Sequence, residues 1–373
     1  MTSISIIGCG FVADLYMRSL ETHPDLVINA VYDHDPARRS AFSLFWNVET
    51  CTGFDAFLAA CPKGSLILNL TNPSAHFEIS RACLEAGHHV YSEKPLATVM
   101  DEARILHDLA KSRGLMLASA PCSVLGDAAR TLSQSVQNGV AGTVRLIYAE
   151  LDDGYIPQAP YKDWKSESGA PWPYADEFRT GCTLEHAGYY LTWLIAMFGS
   201  VERVVAASAV VIPDKETTPD TPDFDTPDFS VATLFFENGP VARLTCSIVA
   251  PHDHQIKVIG DKGTLRVKKA WDNGARVRFH KRFRLRRRLI DAPFGRVMRL
   301  AGKAQPQVKR RGAASMDFAL GPAEMVAALR ENRLCRLSSE FALHVNEVTL
   351  AIQNAGATEG VQKMTTTCAP IMP

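Results

Sequence analysis

Along the first 120 residues, short apolar runs alternate with segments whose apolar positions recur at helical spacing. Residues 3–7 form a run typical of a buried strand, and it ends at Gly8. The spacing then predicts helices over 11–20, 36–45, 74–86 and 98–113, and strands over 26–32, 65–70, 89–92 and 115–119 between them. Gly87 and Gly114 stand just past two of the helices, where a helix stop favours the left-handed conformation. Alternation of this kind specifies a parallel, doubly wound sheet.

Beyond residue 120 the pattern changes. A helix is predicted over 128–137, a longer strand over 143–151, an ordered loop rich in Pro, Trp and Tyr over 155–179, and a helix over 184–198. Strands without intervening helices follow over 203–211, 230–236, 241–249, 255–259 and 264–267. Asn238-Gly239 and Lys262-Gly263 supply tight turns between them, which implies an antiparallel sheet. Two amphipathic helices, 316–330 and 339–355, complete the pattern. The fold class is therefore α/β: an N-terminal Rossmann-type domain over 1–121, then an α+β domain over 122–373 with an open, mainly antiparallel sheet, its last helices free to return to the first domain. A chain of 373 residues is too long for one ordinary core and comfortable for two.

Composition narrows the partners. Hydrophobic residues make up 46%, charged residues 21%, and the formal net charge is zero, so nothing draws the chain in bulk toward nucleic acid or a membrane. No apolar run approaches the ~20 residues of a membrane span, and the first residues lack a basic stretch followed by an apolar one. Nine cysteines, an odd number without metal-like pairing, point to a reduced cytoplasmic chain and to no metal; Cys9, Cys83 and Cys246 read as small core residues. Two segments are irregular: 214–228, which repeats Thr-Pro-Asp three times, and the basic 268–311. Both read as solvated insertions, with contact to an anionic substrate, a partner subunit or a membrane surface as the sharper alternative for the basic one.

Gly8-Cys9-Gly10-Phe11-Val12-Ala13 follows a strand and opens a helix. The first Gly permits the turn, the second admits a pyrophosphate, and Ala13 allows close helix–strand packing. The helix start, with Phe11 and Val12, offers free N–H groups to phosphates. Asp33 ends the second strand, placed to accept hydrogen bonds from an adenosine ribose and to repel a 2′-phosphate, which favours NAD(H) over NADP(H). Arg38 in the same loop pulls toward the phosphate. Thr71-Asn72-Pro73 and His76 follow the third strand at the carboxyl edge where ligands lie, and Glu93-Lys94-Pro95 follows the fourth. A lysine beside a bound nicotinamide is expected to have its ammonium form disfavoured, leaving it to bond a substrate hydroxyl and share in its deprotonation.

Gly8-x-Gly10-x-x-Ala13, Thr71-Asn72-Pro73-x-x-His76, Ala86-Gly87-His88-His89-Val90-x-x-Glu93-Lys94-Pro95 and the later Ile259-Gly260-Asp261-Lys262-Gly263-Thr264-Leu265 hairpin together resemble the glucose–fructose oxidoreductase/inositol dehydrogenase (Gfo/Idh/MocA) family. The resemblance implies NAD(P) binding, hydride exchange at a hydroxyl or keto carbon of a sugar, sugar acid, cyclitol or nucleotide sugar, and a homodimer or homotetramer formed through the open sheet. It assigns Gly8, Gly10, Phe11, Val12, Ala13, Asp33, Arg38, Thr71, Asn72, Pro73, His76, Glu93 and Lys94 to the cofactor. The family's Asp-x-Gly-x-His segment is matched by His186-Ala187-Gly188-Tyr189-Tyr190, with His in place of Asp and Tyr in place of His, as some members carry. Residues 186 and 190 share a face of a regular helix, with Gly188 between them for close approach of a ligand. Lys94 and Tyr190 are then the hydroxyl-contacting pair and His186 a relay or base, with the choice between Tyr190 and His186 for proton transfer open. Trp164, Arg179 and Glu185 are candidate substrate contacts, Glu185 being one step out of phase. Tyr155, Tyr161, Trp172 and Tyr174 offer rings for a sugar face, and Asp152, Asp153 and Lys162 polar contacts. A non-catalytic NAD-sensing regulator and an imine or tetrapyrrole reductase are the alternatives on the same scaffold.

Overall fold

The computed structural model describes residues 2–215, 226–306, 315–358 and 360–371; most of the Thr-Pro-Asp repeat and the end of the basic segment lie outside them. The N-terminal sheet is parallel, in the order β2 (Leu26–Tyr32), β1 (Thr2–Ile7), β3 (Leu66–Asn69), β4 (His89–Ser92), β5 (Leu117–Ser119). Helices α1 (Phe11–Leu20), α2 (Pro36–Trp46), α3 (Phe54–Ala60), α4 (His76–Glu85) and α5 (Met100–Ser112) connect them. Strand order reverses between β1 and β3, so the crevice for a ligand opens at their carboxyl ends. There β1 hands over to α1 through Gly8, whose φ is +101°; a Cβ would sit 2.5 Å from the Leu70 carbonyl oxygen, so only glycine fits.

After α6 (Asp127–Gln137), the large second sheet is built around β6 (Val144–Tyr155). Its order is β14 (Arg288–Asp291), β13 (Arg278–Leu285), β12 (Gly263–Val267), β11 (Ile256–Gly260), β6, β9 (Val241–Ser247), β8 (Phe229–Phe236), β7 (Val201–Ala209), β16 (Gln362–Lys363). β10 (Val249–Asp253) pairs with β6 and β15 (Arg296–Val297) with β13. Every described pair is antiparallel except β6 with β9, so the sheet is mixed but mainly antiparallel. Along β8 buried and half-buried positions alternate strictly, the mark of one face against helices and one toward solvent. The helical side carries α8 (Gly188–Phe198) and, after α9 (Leu320–Glu331), α10 (Ser339–Gln353), with Tyr190, Leu194, Leu234, Leu244, Val348 and Ile352 in one core. Ala342 and Leu343 of α10 share a second core with Val90, Leu106 and Ala110 of the first domain. Each fully buried Leu, Ile or Val among them contributes about 1.5–3 kcal/mol of burial.

Two expectations fail here for physical reasons. The basic segment is not a loose insertion: its described part contains β13, β14 and β15, which extend the sheet. Their side chains are mostly exposed, so no apolar alternation marks them. The aromatic loop over 155–179 contains α7 (Tyr174–Thr180), too short to show a helical period.

Candidate functional site

A cavity of about 370 Å³ lies between the carboxyl edge of the parallel sheet and the second domain. From the first domain come Gly10, Phe11, Val12, the Thr71-Asn72-Pro73 turn, Glu93 and Lys94. A Cβ built on Gly10 would meet nothing within 4 Å, so the helix start is open to a phosphate. Ala13 is fully buried beneath the turn. Asp33 accepts the Cys9 N–H at 2.7 Å and the Asp35 N–H at 2.9 Å, holding the glycine turn to the tip of β2. The Arg38 guanidinium donates to the Cys9 carbonyl at 2.9 Å and to Ser168 Oγ at 3.1 Å, and so is committed to protein groups.

His76 does not line the cavity. It is fully buried, with Nδ1 2.7 Å from the Pro95 carbonyl oxygen and Nε2 2.9 Å from that of Thr71. Burial pushes its pKa down, against the two carbonyls that raise it. Instead of facing a cofactor, the ring braces the 71–73 turn against the Lys94-Pro95 turn. Glu93, also buried, accepts the Tyr16 hydroxyl at 2.7 Å and the Lys94 N–H at 3.0 Å, which fixes where the lysine leaves the strand.

The second domain answers with Glu185, which pairs directly with the Lys94 ammonium. Burial works against that ammonium, but Glu185, Glu177 and Glu93 outweigh it and hold the lysine well above its ordinary pKa. Carboxylates surround the amine. Glu177, from α7, is pushed well above the carboxylate range by burial and by the charge of Glu185. The cluster therefore sets the Lys94 amine against two carboxyl groups, Glu185 and Glu177, that also act on each other.

Residues Thr183–Ala187 form a π-helical turn ahead of α8, and Glu185 and Tyr189, four apart, share the face that meets the cavity. Glu185, His186 and Tyr189 line the cavity, and Tyr190 does not. Tyr190 is fully buried, its hydroxyl has no hydrogen-bond partner among the described residues, and burial holds the phenol well above its usual pKa, with charges at Asp253, Cys246 and Asp153 adding to it. The structure thus does not bring Tyr190 to Lys94. Gly188 faces Pro121, whose Cδ would lie 3.2 Å from an added Cβ, rather than a ligand. His186 is held below the ordinary imidazole pKa by burial, and its Nδ1 is buried without a partner among the described residues.

Trp164 and Trp172 wall the cavity with Trp271, which packs on Tyr189 at a ring-centroid distance of 5.0 Å. Arg179 does not line the cavity: its side chain is 53% exposed and pairs at 3.1 Å with Asp176, which does. Tyr161 is buried among Trp172, Tyr174 and Phe178, and Tyr155 is exposed. Sequence reasoning missed Tyr189, Glu177, Trp271 and the pair His252 and His254. Counting by four from Glu185 instead of His186 reaches Tyr189; His252 and His254 reach the same wall through the pairing of β10 with β6.

A glycine turn at the switch point of a parallel sheet, facing a lysine–carboxylate cluster across a shared cavity, defines a dinucleotide-binding enzyme of two domains. Comparison with known proteins makes this specific. Residues 2–120 match the oxidoreductase family with an NAD-binding Rossmann fold, and residues 129–266 match the GFO/IDH/MocA C-terminal domain. The chain belongs to the Gfo/Idh/MocA family of NAD-binding oxidoreductases. It is 25% identical over 270 residues to trans-1,2-dihydrobenzene-1,2-diol dehydrogenase of Mus musculus, covering 71% of this chain and 74% of that protein. Its fold is similar to an Agrobacterium radiobacter oxidoreductase solved with NAD+, L-tartaric acid and magnesium (TM-score 0.75, 14% identity, 97% and 98% of the two chains). It is also similar to the WlbA dehydrogenase of Bordetella pertussis solved with NADH and UDP-GlcNAcA (TM-score 0.71, 16% identity, 98% of each chain). Among the described residues, no helix is long and apolar enough to cross a membrane.

Proposed function

We propose that the chain is an NAD(H)-dependent dehydrogenase that exchanges a hydride with a hydroxyl-bearing carbon of an uncharged, sugar-like or cyclitol-like substrate. The observation that carries this reading is the convergence of Lys94, Glu185, His186 and Tyr189 on the cavity that Gly10 and the 71–73 turn also line. The residues present fit a dinucleotide: the open space at Gly10 takes a pyrophosphate, and the Asp33 carboxylate beside the turn takes ribose hydroxyls and disfavours a 2′-phosphate. When bound, NAD supplies the hydride acceptor or donor.

The chain's own groups handle the substrate oxygen and its proton. The Lys94 ammonium, steadied by Glu185, donates a hydrogen bond to the substrate hydroxyl and stabilises negative charge as it develops. His186, kept neutral by burial, takes the proton. Tyr189 orients the oxygen, and Trp164 and Trp172 offer apolar faces to the ring while excluding water. Glu93, Asp153, Asp176, Glu177 and Glu185 make the lining acidic, which favours a neutral polyol over a substrate carrying a diphosphate. The basic β13–β14 hairpin does not line the cavity and supplies no counter-charge to it.

The half-open outer face of the large sheet, with Leu146 and Val205 exposed on it, suits a homodimer or homotetramer. Nine unpaired cysteines suit the cytoplasm. An NAD+ reduction screen across cyclitols, sugars, sugar acids and nucleotide sugars tests the function. Turnover concentrated in the neutral polyols and abolished by Lys94→Ala is the expected result; turnover unchanged in that variant removes the lysine from the chemistry.

A further inference from the structure

β10 and the residue after it read Pro251-His252-Asp253-His254, beside the second-domain wall of the cavity. Two residues apart on extended chain, His252 and His254 project to one side, and their ring centroids lie 3.8 Å apart. β10 pairs with β6 so that Asp253 faces Asp152, which puts the next β6 residue, Asp153, against the two imidazoles. Asp153 Oδ1 is 3.2 Å from His254 Nε2 and 3.8 Å from His252 Nε2, and one ligand atom from each of the three residues lies within 4.8 Å of the others. Two zinc–ligand bonds of about 2.0–2.1 Å at a tetrahedral angle separate their donor atoms by about 3.3 Å.

His254 is only 3% exposed and its Nε2 has no hydrogen-bond partner among the described residues, although Asp153 is close. Near but not aligned for a hydrogen bond is the relation expected of two donors that share an ion. Trp271 covers the His254 ring at a centroid distance of 4.4 Å and fixes its orientation. Asp153 itself lines the cavity.

We propose that Asp153, His252 and His254 bind one divalent transition-metal ion of the zinc class at the cavity wall, its remaining coordination position open to an oxygen of the substrate. Two imidazoles select a transition metal over magnesium or calcium, which prefer oxygen donors. A vicinal diol is the matching ligand, one hydroxyl on the ion and the other at Lys94. That use of the ion rests on the dehydrogenase reading above; binding of the ion does not.

The test is titration of chelator-stripped full-length protein with Co2+, read by the visible bands of four- or five-coordinate cobalt and by calorimetry, with NADH binding as the check of folding. One Co2+ per chain, displaced by Zn2+ and weakened at least tenfold in Asp153→Asn, His254→Gln and the surface variant His252→Gln, is expected. His252 is exposed, so that variant folds. Absence of saturable binding, equal binding in the His252→Gln protein, or thiolate-to-cobalt bands that place the ion on cysteine would each overturn the site. Saturable binding without NAD+ turnover would leave the site standing and remove the dehydrogenase reading. Full turnover by stripped protein would remove the ion from the chemistry.

Discussion

Glu185 grips the ammonium of Lys94 from across the cavity, although 91 positions separate them in the chain. The pair is one unit: removing either member leaves the other buried beside uncompensated charge. Lys94→Ala and Glu185→Gln are each expected to lower kcat by about 10²–10⁴-fold. The double variant is expected to be no slower than the worse single one. Steady-state kinetics on the four proteins checks this, and additive losses would show that the two act separately.

The two adjacent tyrosines are expected to part company. Tyr189→Phe lowers kcat/KM, because Tyr189 belongs to the cavity wall. Tyr190→Phe keeps activity and holds or raises Tm, since it deletes a buried hydroxyl that has no partner among the described residues. Kinetics and thermal melts on both variants decide it.

NADH is expected to bind at least tenfold more tightly than NADPH, about 1.4 kcal/mol. The Asp33 carboxylate stands at the glycine turn, and Arg38 is engaged by the Cys9 carbonyl and Ser168. Asp33→Asn narrows the ratio. Calorimetry showing tighter NADPH binding would overturn the assignment.

Glycines two positions apart are expected to fail differently. Gly8→Ala, with φ at +101° and a Cβ 2.5 Å from the Leu70 oxygen, costs stability of at least about 1–3 kcal/mol. Gly10→Ala meets no protein atom within 4 Å, so it keeps its Tm but loses cofactor affinity tenfold or more. Melting curves and NADH titrations separate the two effects.

His186 gives a pH signature. Burial holds its imidazole below the ordinary 6.5, so it is neutral at pH 7 and able to take a proton. The rate of alcohol oxidation should therefore hold as pH falls toward 6.5 and drop only below it. In His186→Asn that acid limb should vanish along with most of kcat. A limb centred above pH 6.5 would assign the base elsewhere.

The first domain was legible almost residue by residue. α1, β2 and β4 lie where the pattern placed them, because strand and helix periods there are short, regular and bounded by glycine or a turn. Legibility fell where burial no longer writes the pattern. α3 has seven residues, two turns at most, and β13 is an outer strand rich in arginine. In the site, the nucleotide half was readable because glycine and aspartate carry backbone constraints. The catalytic half was not: counting by four from His186 reaches Tyr190, whereas the face that meets the cavity is the one four residues apart from Glu185 to Tyr189. His252, His254 and Asp153 meet only through the pairing of β10 with β6, which no local period records.

The segment that carries Trp164, Trp172 and Asp176 is clasped to the nucleotide domain from below. Arg18 pairs with Glu167, Asp14 accepts the Ser168 N–H at 2.7 Å, and Asn72 donates to Asp176 at 2.5 Å. Any route by which a dinucleotide lifts that segment to enter or leave must break the exposed Arg18–Glu167 ion pair and the buried Asp14–Ser168 bond. Ionic strength weakens an exposed ion pair, so raising salt is expected to speed cofactor exchange, separate from the chemistry.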